Sequence, residues 1–192
     1  MRNAEATQER ILRAAMAEFS AHGVAGARVD RIAAAAGCNK NLIYIYFGSK
    51  EALFTTLLER NLVRVFEEMA FTPEDLPGFA ARMFDFALGN PELMRLMAWS
   101  SLEQPAGISA MRAAAHSAKV AALTRVQAEG KAGTTFPADF LLTAVMTLAT
   151  AWAATNPFGP SVDPESARHP AELRESVAAA VALIVNAGPE VG

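Results

Sequence analysis

The sequence has little cysteine: Cys38 stands alone among 192 residues. A single thiol cannot form an intramolecular disulfide or a zinc site built from several thiolates. The first ten residues, MRNAEATQER, carry charges where a signal peptide would have an apolar core. We therefore expect a reducing, cytoplasmic location.

The sequence also lacks an apolar run long enough to cross a membrane. Its longest segment without a charged residue, 140–162, loses its apolar character near Ala154 and continues into Asn156-Pro157. A transmembrane helix needs about 20 apolar residues. We expect a buried helix at this position and no contact with a membrane.

Recognisable enzyme motifs are missing as well. There is no G-x-S-x-G elbow, P-loop or G-x-G-x-x-G segment, and His22, His116 and His169 lie far apart, with no H-E-x-x-H pair. The sequence predicts that the chain is not an enzyme and that it has no cofactor and no metal site.

The composition predicts a folded, all-α protein. Hydrophobic residues make up 52% and charged residues 19%, so the chain can bury enough apolar surface to offset its ordering entropy. Alanine recurs throughout, whereas β-branched runs and period-two alternation are absent. We predict nine helices. Four lie at about residues 6–22, 29–36, 40–47 and 50–69, the fifth starts at 72–75 or at Pro77 and runs to 88, the sixth opens at 90–92, and the last three lie at about 107–129, 137–154 and 171–187.

Charge is distributed unevenly along the chain. The net charge is −3, yet residues 1–50 contain seven basic and four acidic side chains. The N-terminal segment is therefore the electropositive part of the molecule, as a nucleic-acid-binding surface should be.

Residues 29–47 form a helix-turn-helix pattern. Gly37 is placed to end the first short helix, and Asn39 is placed to cap the second. A pair of ordinary core helices would have the same spacing. However, at about 100° per residue Ile43 and Phe47 share one face, whereas Asn41, Leu42 and Ile45 point away from it. An exposed apolar face with one amide is unfavourable in water but suits the major groove of DNA.

The stretch RVDRIAAAAGCNKNLIYIYFGSKEALF, residues 28–54, resembles the tetracycline-repressor (TetR) family of bacterial transcriptional regulators. The resemblance rests on the Ile32-Ala33 pair, Ala36-Gly37 at the turn, the Tyr44-x-Tyr46-Phe47 run and Ser49-Lys50-Glu51. It implies an N-terminal three-helix DNA-binding domain, a C-terminal helical domain that dimerises and binds a small effector, and no enzymatic activity. We expect domains at 1–49 and 50–192, with the fourth helix, 50–69, connecting them.

The resemblance also assigns DNA-contacting residues. It implies that Lys40, Asn41, Leu42 and Ile45 face the groove and that phosphates are contacted by Arg28, Tyr44, Tyr46 and Lys50. Two positions depart from the commonest family pattern. Arg28 stands where a threonine often caps the helix, and Asn41 stands where a glycine often permits close approach to DNA. The second departure means that an operator sequence cannot be inherited from the family.

The C-terminal part is rich in methionine and aromatic residues, which can line an adaptable apolar pocket. Glu103 is a further polar group that we expect near such a pocket, although methionine at helical spacing more often fills a core. The predicted effector-binding residues are Met83, Phe84, Met94, Trp99, Met111, His116, Met146 and Trp152.

The eighth and ninth predicted helices are apolar on every side, and a domain of this size has few other helices to cover them. We therefore expect a homodimer through these two helices, although an ordinary monomer core is the alternative. The sequence as a whole predicts a dimeric transcriptional regulator, a repressor released by a small apolar ligand from a palindromic double-stranded DNA operator. The alternative is a helical ligand-binding or interaction protein that no longer binds DNA.

Overall fold

A computed structural model describes residues 2–103, 108–165 and 168–186. The described residues form helices and connecting turns, without a strand. The helices are α1 (Arg2–Gly26), α2 (Val29–Ala36), α3 (Lys40–Phe47), α4 (Lys50–Glu68), α5 (Leu76–Gly89), α6 (Pro91–Glu103), α7 (Ile108–Ala128), α8 (Ala138–Thr150), α9 (Gly159–Val162) and α10 (Pro170–Val185).

The predicted all-α class is confirmed, and the two short helices end where the sequence places them. Gly37 adopts the left-handed conformation that ends α2, and the Asn39 side chain accepts a hydrogen bond from the Asn41 N–H at the start of α3. Ser49 accepts from the Ala52 N–H at the start of α4. Local side-chain chemistry therefore fixes these helix ends.

Three predicted helices differ from the observed ones. The eighth, expected to run to 154, ends at Thr150 as α8. The first continues to Gly26, beyond the predicted end at 22, because the chain breaks at Gly23 and then resumes a helical turn. The ninth predicted helix is α10, since the short α9 lies between it and α8 and has no apolar periodicity that would reveal it. α9 contains Pro160 in its first turn, a position that tolerates proline.

The chain divides into two units, one of residues 1–68 and 92–109 and the other of residues 69–91 and 110–192. This division differs from the boundary expected between residues 49 and 50, because α4 packs against α1 and α3. α6 also belongs to the first unit.

The first unit is built around a small core shared by α1 to α4. Ile11, Phe19, Ile32, Ile43 and Phe54 are fully buried. The rings of Phe19 and Phe54 meet edge to face, with centroids 5.2 Å apart. This packing holds the Ile43 face of α3 inward. The same contacts therefore determine which face of α3 points outward.

The second unit has its core where α5 packs against α8 and α10, which also contact each other. Phe79 and Phe84 of α5 are buried together with Val145 of α8 and Val181 of α10. The end of α7 joins them through Leu123. None of the described helices is long and apolar enough to cross a membrane.

Candidate nucleic-acid interface

The outward face of α3 is the most distinctive surface of the first unit. Ile43 is fully buried, whereas Asn41 is exposed and Ile45 is 72% exposed, although it is a large apolar residue. Leu42 is half-buried between these two positions. The exposures agree with the helical wheel, and an isoleucine this open on a short helix indicates a surface that a partner covers.

The two tyrosines of α3 differ in exposure. Tyr44 is 46% exposed, and Tyr46 is half-buried with its ring edge against Phe47. Both side chains flank the face that contains Asn41 and Ile45, as the wheel predicts. The ring of each tyrosine can rest on the protein while its hydroxyl reaches outward.

Lys40 and Arg28 lie at the starts of α3 and α2. The Lys40 Nζ lies 3.1 Å from Asp30 Oδ1 in an exposed ion pair. Arg28 is exposed and forms no side-chain cap on α2, but its backbone N–H donates to Glu18 Oε1 at 2.8 Å. The Arg28 guanidinium thus remains exposed at the start of α2, where it is accessible to a phosphate.

Lys50 has a structural contact that the sequence does not reveal. Its Nζ donates to the carbonyl oxygens of Ala27 at 3.2 Å and Ala25 at 3.4 Å. The lysine therefore ties the start of α4 to the chain that follows α1. An ammonium group has three N–H donors, so these two bonds leave one donor for a phosphate.

A half-buried carboxylate supports the turn between α1 and α2, and sequence reasoning missed it. Glu18 is only 10% exposed and accepts from Arg31 Nε at 2.8 Å. Burial by itself raises the pKa of Glu18, but the hydrogen bonds from Arg31 and the Arg28 backbone and the charge of Arg31 outweigh it, so the pKa is lowered. The partners are far apart in sequence, so no local spacing could have predicted them.

α6 secures the far end of α1 through Trp99 and Glu103. The Trp99 indole N–H donates to the Ser20 carbonyl oxygen at 3.3 Å, and Glu103 accepts from the Val24 N–H at 2.9 Å. Gly23 lies between these bonds, and a Cβ there would be 2.5 Å from Glu103 Oε1. Trp99 and Glu103, expected beside an effector, thus bind the N-terminal helix.

The predicted effector-binding residues are divided between the two units. Met94 and Trp99 belong to the first unit, whereas Met83, Phe84, His116, Met146 and Trp152 belong to the second, where Phe84 is buried in the α5 core. The Met111 side chain lies outside the described residues. Trp152 Nε1 is buried and has no hydrogen-bond partner among the described residues.

The first unit thus has the architecture of a helix-turn-helix DNA-binding domain, with α2 as the supporting helix and α3 as the recognition helix. Residues 11–57 match the family model described as bacterial regulatory proteins, tetR family, and residues 75–182 match the one described as tetracyclin repressor-like, C-terminal domain. The chain belongs to the TetR family.

Relatives of known sequence and structure agree with this assignment. The HTH-type transcriptional repressor SCO4008 of Streptomyces coelicolor is 40% identical over 159 residues, which are 81% of this chain and 82% of that protein. The crystal structure of the regulator SCO4942 from the same organism is 32% identical and superposes with a TM-score of 0.82, covering 93% of this chain and 98% of that one.

A more distant structure shares the fold. FadR of Bacillus subtilis, solved in complex with stearoyl-CoA, is 19% identical and has a TM-score of 0.67 over 92% of this chain and 97% of that one. These three relatives are transcriptional regulators, not enzymes. The chain is a DNA-binding transcriptional regulator.

Proposed function

We propose that the protein is a homodimeric repressor that binds a palindromic operator through α3 and leaves it when a small molecule binds the second unit. The observation that carries the proposal is the exposed face of α3, where Asn41 and Ile45 face outward over a buried Ile43. Asn41 would pair with a base edge, and Ile45 would contact a thymine methyl.

Phosphate contacts would flank this face. Tyr44 and Tyr46 have hydroxyls that can donate to phosphates on the groove walls, and Arg28, Lys40 and Lys50 supply positive charge. Backbone contacts fix the position of the protein on DNA without reading sequence. The specificity of the repressor would therefore depend chiefly on Asn41, Leu42 and Ile45.

Dimerisation would use the outward faces of α8 and α10. Phe140, Thr143 and Thr147 form an exposed stripe on α8, and Ser176, Ala179 and Leu183 form one on α10. Small residues permit helices to approach closely, and Leu183 is 77% exposed on α10. Two such faces related by a two-fold axis would make a four-helix interface, and the two α3 helices would then read half-sites about one helical turn or more apart.

Ligand release is supported by likeness to a protein solved with a ligand, FadR with stearoyl-CoA. We expect an effector in the second unit to reposition α4 and so change the spacing of the two recognition helices. Half-sites at the original spacing would then no longer fit both helices.

The experiment is selection of bound sequences from random DNA, followed by binding measurements on the selected operator and on scrambled DNA. Asn41→Ala and Ile45→Ala should each weaken operator binding by about 1 to 3 kcal/mol and leave binding to scrambled DNA almost unchanged. The Ile45→Ala loss should be confined to sites with thymine at the contacted position. Equal losses on both DNAs would show that the face is structural, and a failure to select any sequence would favour the interaction protein that no longer binds DNA.

A further inference from the structure

The chain between α1 and α2 is fixed by side chains that lie elsewhere in the first unit. This α1–α2 segment comprises residues 24–28 and ends at Arg28, the residue before α2. Lys50 of α4 donates to the carbonyl oxygens of Ala25 and Ala27 at 3.4 and 3.2 Å. The segment therefore includes one of the proposed phosphate contacts, Arg28, and is bonded to another, Lys50.

α6 holds the beginning of the segment. The backbone leaves the helical conformation at Gly23 (φ 66°, ψ −174°), so the helical turn that follows begins with N–H groups that have no partner within the helix. Glu103 accepts from two of them, the Val24 N–H at 2.9 Å and the Ala25 N–H at 3.4 Å. A carboxylate that accepts from the first N–H groups of a helical turn caps that turn. Here the cap comes from a different helix.

The end of the segment is held by two further side chains. Glu18 accepts from the Arg28 N–H at 2.8 Å, and Arg31 Nη2 donates to the Gly26 carbonyl oxygen at 3.3 Å. With the bonds of Lys50 and Glu103, each of the five residues of the segment has a backbone group bonded to a side chain outside it. A displacement at the start of the segment is therefore transmitted to its end.

The outward face of α3 is fixed by different contacts. α3 is held by Ile43, which is fully buried, and by the Asn39 cap at its first turn. The bonds to the α1–α2 segment come from α1, α2, α4 and α6. A displacement of the segment should therefore alter the position of Arg28 more than the position of Asn41 and Ile45.

We propose that Glu103 is a positioning residue for DNA binding: it holds the α1–α2 segment where Arg28 reaches a phosphate. The proposal rests on the phosphate contact that the proposed function gives to Arg28, and it adds a residue that acts without touching DNA. α6, which belongs to the first unit, is then a part of the DNA-binding domain beyond the three helices that the family resemblance implies.

The effect of Glu103→Ala on DNA binding has a sign that tests the proposal. Through long-range charge alone, the loss of a carboxylate strengthens binding to the DNA polyanion. The loss of a positioning residue weakens it. We expect Glu103→Ala to weaken binding to the selected operator and to scrambled DNA alike, by about tenfold. The magnitude of the salt slope should fall by about one unit, and the preference for the operator should not change.

Glu92→Ala is the matched control, because Glu92 lies on the same helix, is exposed and loses the same charge. It should leave DNA binding unchanged or slightly stronger. Glu103→Gln keeps an amide oxygen that can accept one of the two bonds, so its loss should be smaller than that of Glu103→Ala. Urea denaturation gives the folded fraction of each variant, and affinities are compared per folded protein. If Glu103→Ala does not fold, Glu103→Gln against Glu92→Gln provides the same comparison.

A double-mutant cycle tests whether Glu103 acts through Arg28. The loss of affinity from Arg28→Ala should be several-fold smaller in the Glu103→Ala chain than in the wild type. Additive losses, or binding by the Glu103 variants as tight as that of the Glu92 variants, would overturn the proposal. If Arg28→Ala leaves the salt slope of the wild type unchanged, the phosphate contact of the proposed function is wrong, and the inference fails with it. A normal effect of Arg28→Ala beside tight binding by Glu103→Ala overturns the inference alone.

Discussion

At the scale of single residues, Lys50 combines two functions that sequence patterns treat separately. The family resemblance implies a phosphate contact, and the structure adds hydrogen bonds to the carbonyl oxygens of Ala25 and Ala27. A charged donor on two carbonyls stabilises the fold by about 1 kcal/mol after exchange with water. The same side chain would therefore both hold α4 against the end of α1 and contact DNA.

We expect Lys50→Ala to lower the free energy of unfolding by about 1 kcal/mol and to reduce the magnitude of the salt slope of DNA binding by about one unit. Preference for the operator over scrambled DNA should not change. Urea denaturation and binding at several salt concentrations measure the two effects. Lys40→Ala is the control, since the ion pair of Lys40 with Asp30 is exposed, and this variant should change the DNA binding but not the stability. A stability loss with an unaltered salt slope would make Lys50 purely structural.

Glu18 should make the stability of the folded state depend on pH in the acid range. Its pKa lies below the ordinary value of 4.5, so its carboxylate stabilises the folded state above about that pH and loses this effect as the pH falls through the folded pKa. Glu18→Gln should lower the Tm by a few degrees at pH 6, and the difference from wild type should shrink toward pH 3.

Thermal melts from pH 3 to pH 7 measure this effect. Glu9→Gln is the control, because the ion pair of Glu9 with Arg60 is about half exposed on both sides and surface pairs contribute little. A Tm difference for Glu18→Gln that stays constant over the acid range would contradict the assigned pKa.

At the scale of helices, the sequence predicts best what is determined locally. The bounds of α2 and α3 follow from Gly37 and Asn39, whose effects act within one turn. The attachment of α6 to α1 follows from no local signal, because Glu103 and the Val24 N–H are 79 residues apart in the chain. The helical wheel identifies the outward face of α3 because the buried Ile43 fixes the rotation of the helix. The residues predicted to bind an effector show no comparable periodicity.

Substitutions at Gly23 and Gly37 test the contact between α6 and α1. The two backbones differ in ψ, because Gly23 (ψ −174°) lies in a region that essentially only glycine adopts, whereas Gly37 (ψ 43°) lies in the left-handed helical region. Both have a positive φ, 66° and 61°, but a Cβ at Gly37 would meet no atom within 4 Å, whereas at Gly23 it would lie 2.9 Å from the Trp99 ring. Gly37→Ala should cost about 1 to 2 kcal/mol from backbone strain alone. Gly23→Ala should cost clearly more, because its backbone conformation disfavours alanine more strongly and because Trp99 and Glu103 must also move.

Urea denaturation of both variants measures the difference. Glu103→Gln complements them, because it keeps the size of the side chain but weakens the hydrogen bonds to the Val24 and Ala25 N–H groups. Equal stability losses in Gly23→Ala and Gly37→Ala would show that α6 does not crowd Gly23.

At the scale of the whole molecule, the apolar side chains of α8 and α10 divide into a buried set and an exposed set. Val145, Val177 and Val181 are buried within the subunit against α5 and its neighbours. The outward stripes, with Leu183 on α10, remain exposed. The sequence thus overstates the uncovered surface of these helices, because periodicity alone does not show that α5 packs against both of them. The exposed stripes are narrower than the all-round apolar surface that the sequence predicts. The proposed dimer would bury these stripes.

Two leucines with nearly equal exposure allow the dimer to be tested with the same substitution at two positions. Leu183 is 77% exposed on α10, in the proposed interface, and Leu102 is 75% exposed on α6, a helix that the proposed interface does not include. Leu183→Glu would bury an unpaired charge at a two-fold contact and should weaken the dimer at least about tenfold. Leu102→Glu should leave the dimer unaffected. Sedimentation at micromolar concentration distinguishes a dimer from the 20.4 kDa monomer. A monomeric wild type, or equal dissociation of both variants, would contradict the interface, and operator binding would then have to come from single subunits reading one half-site.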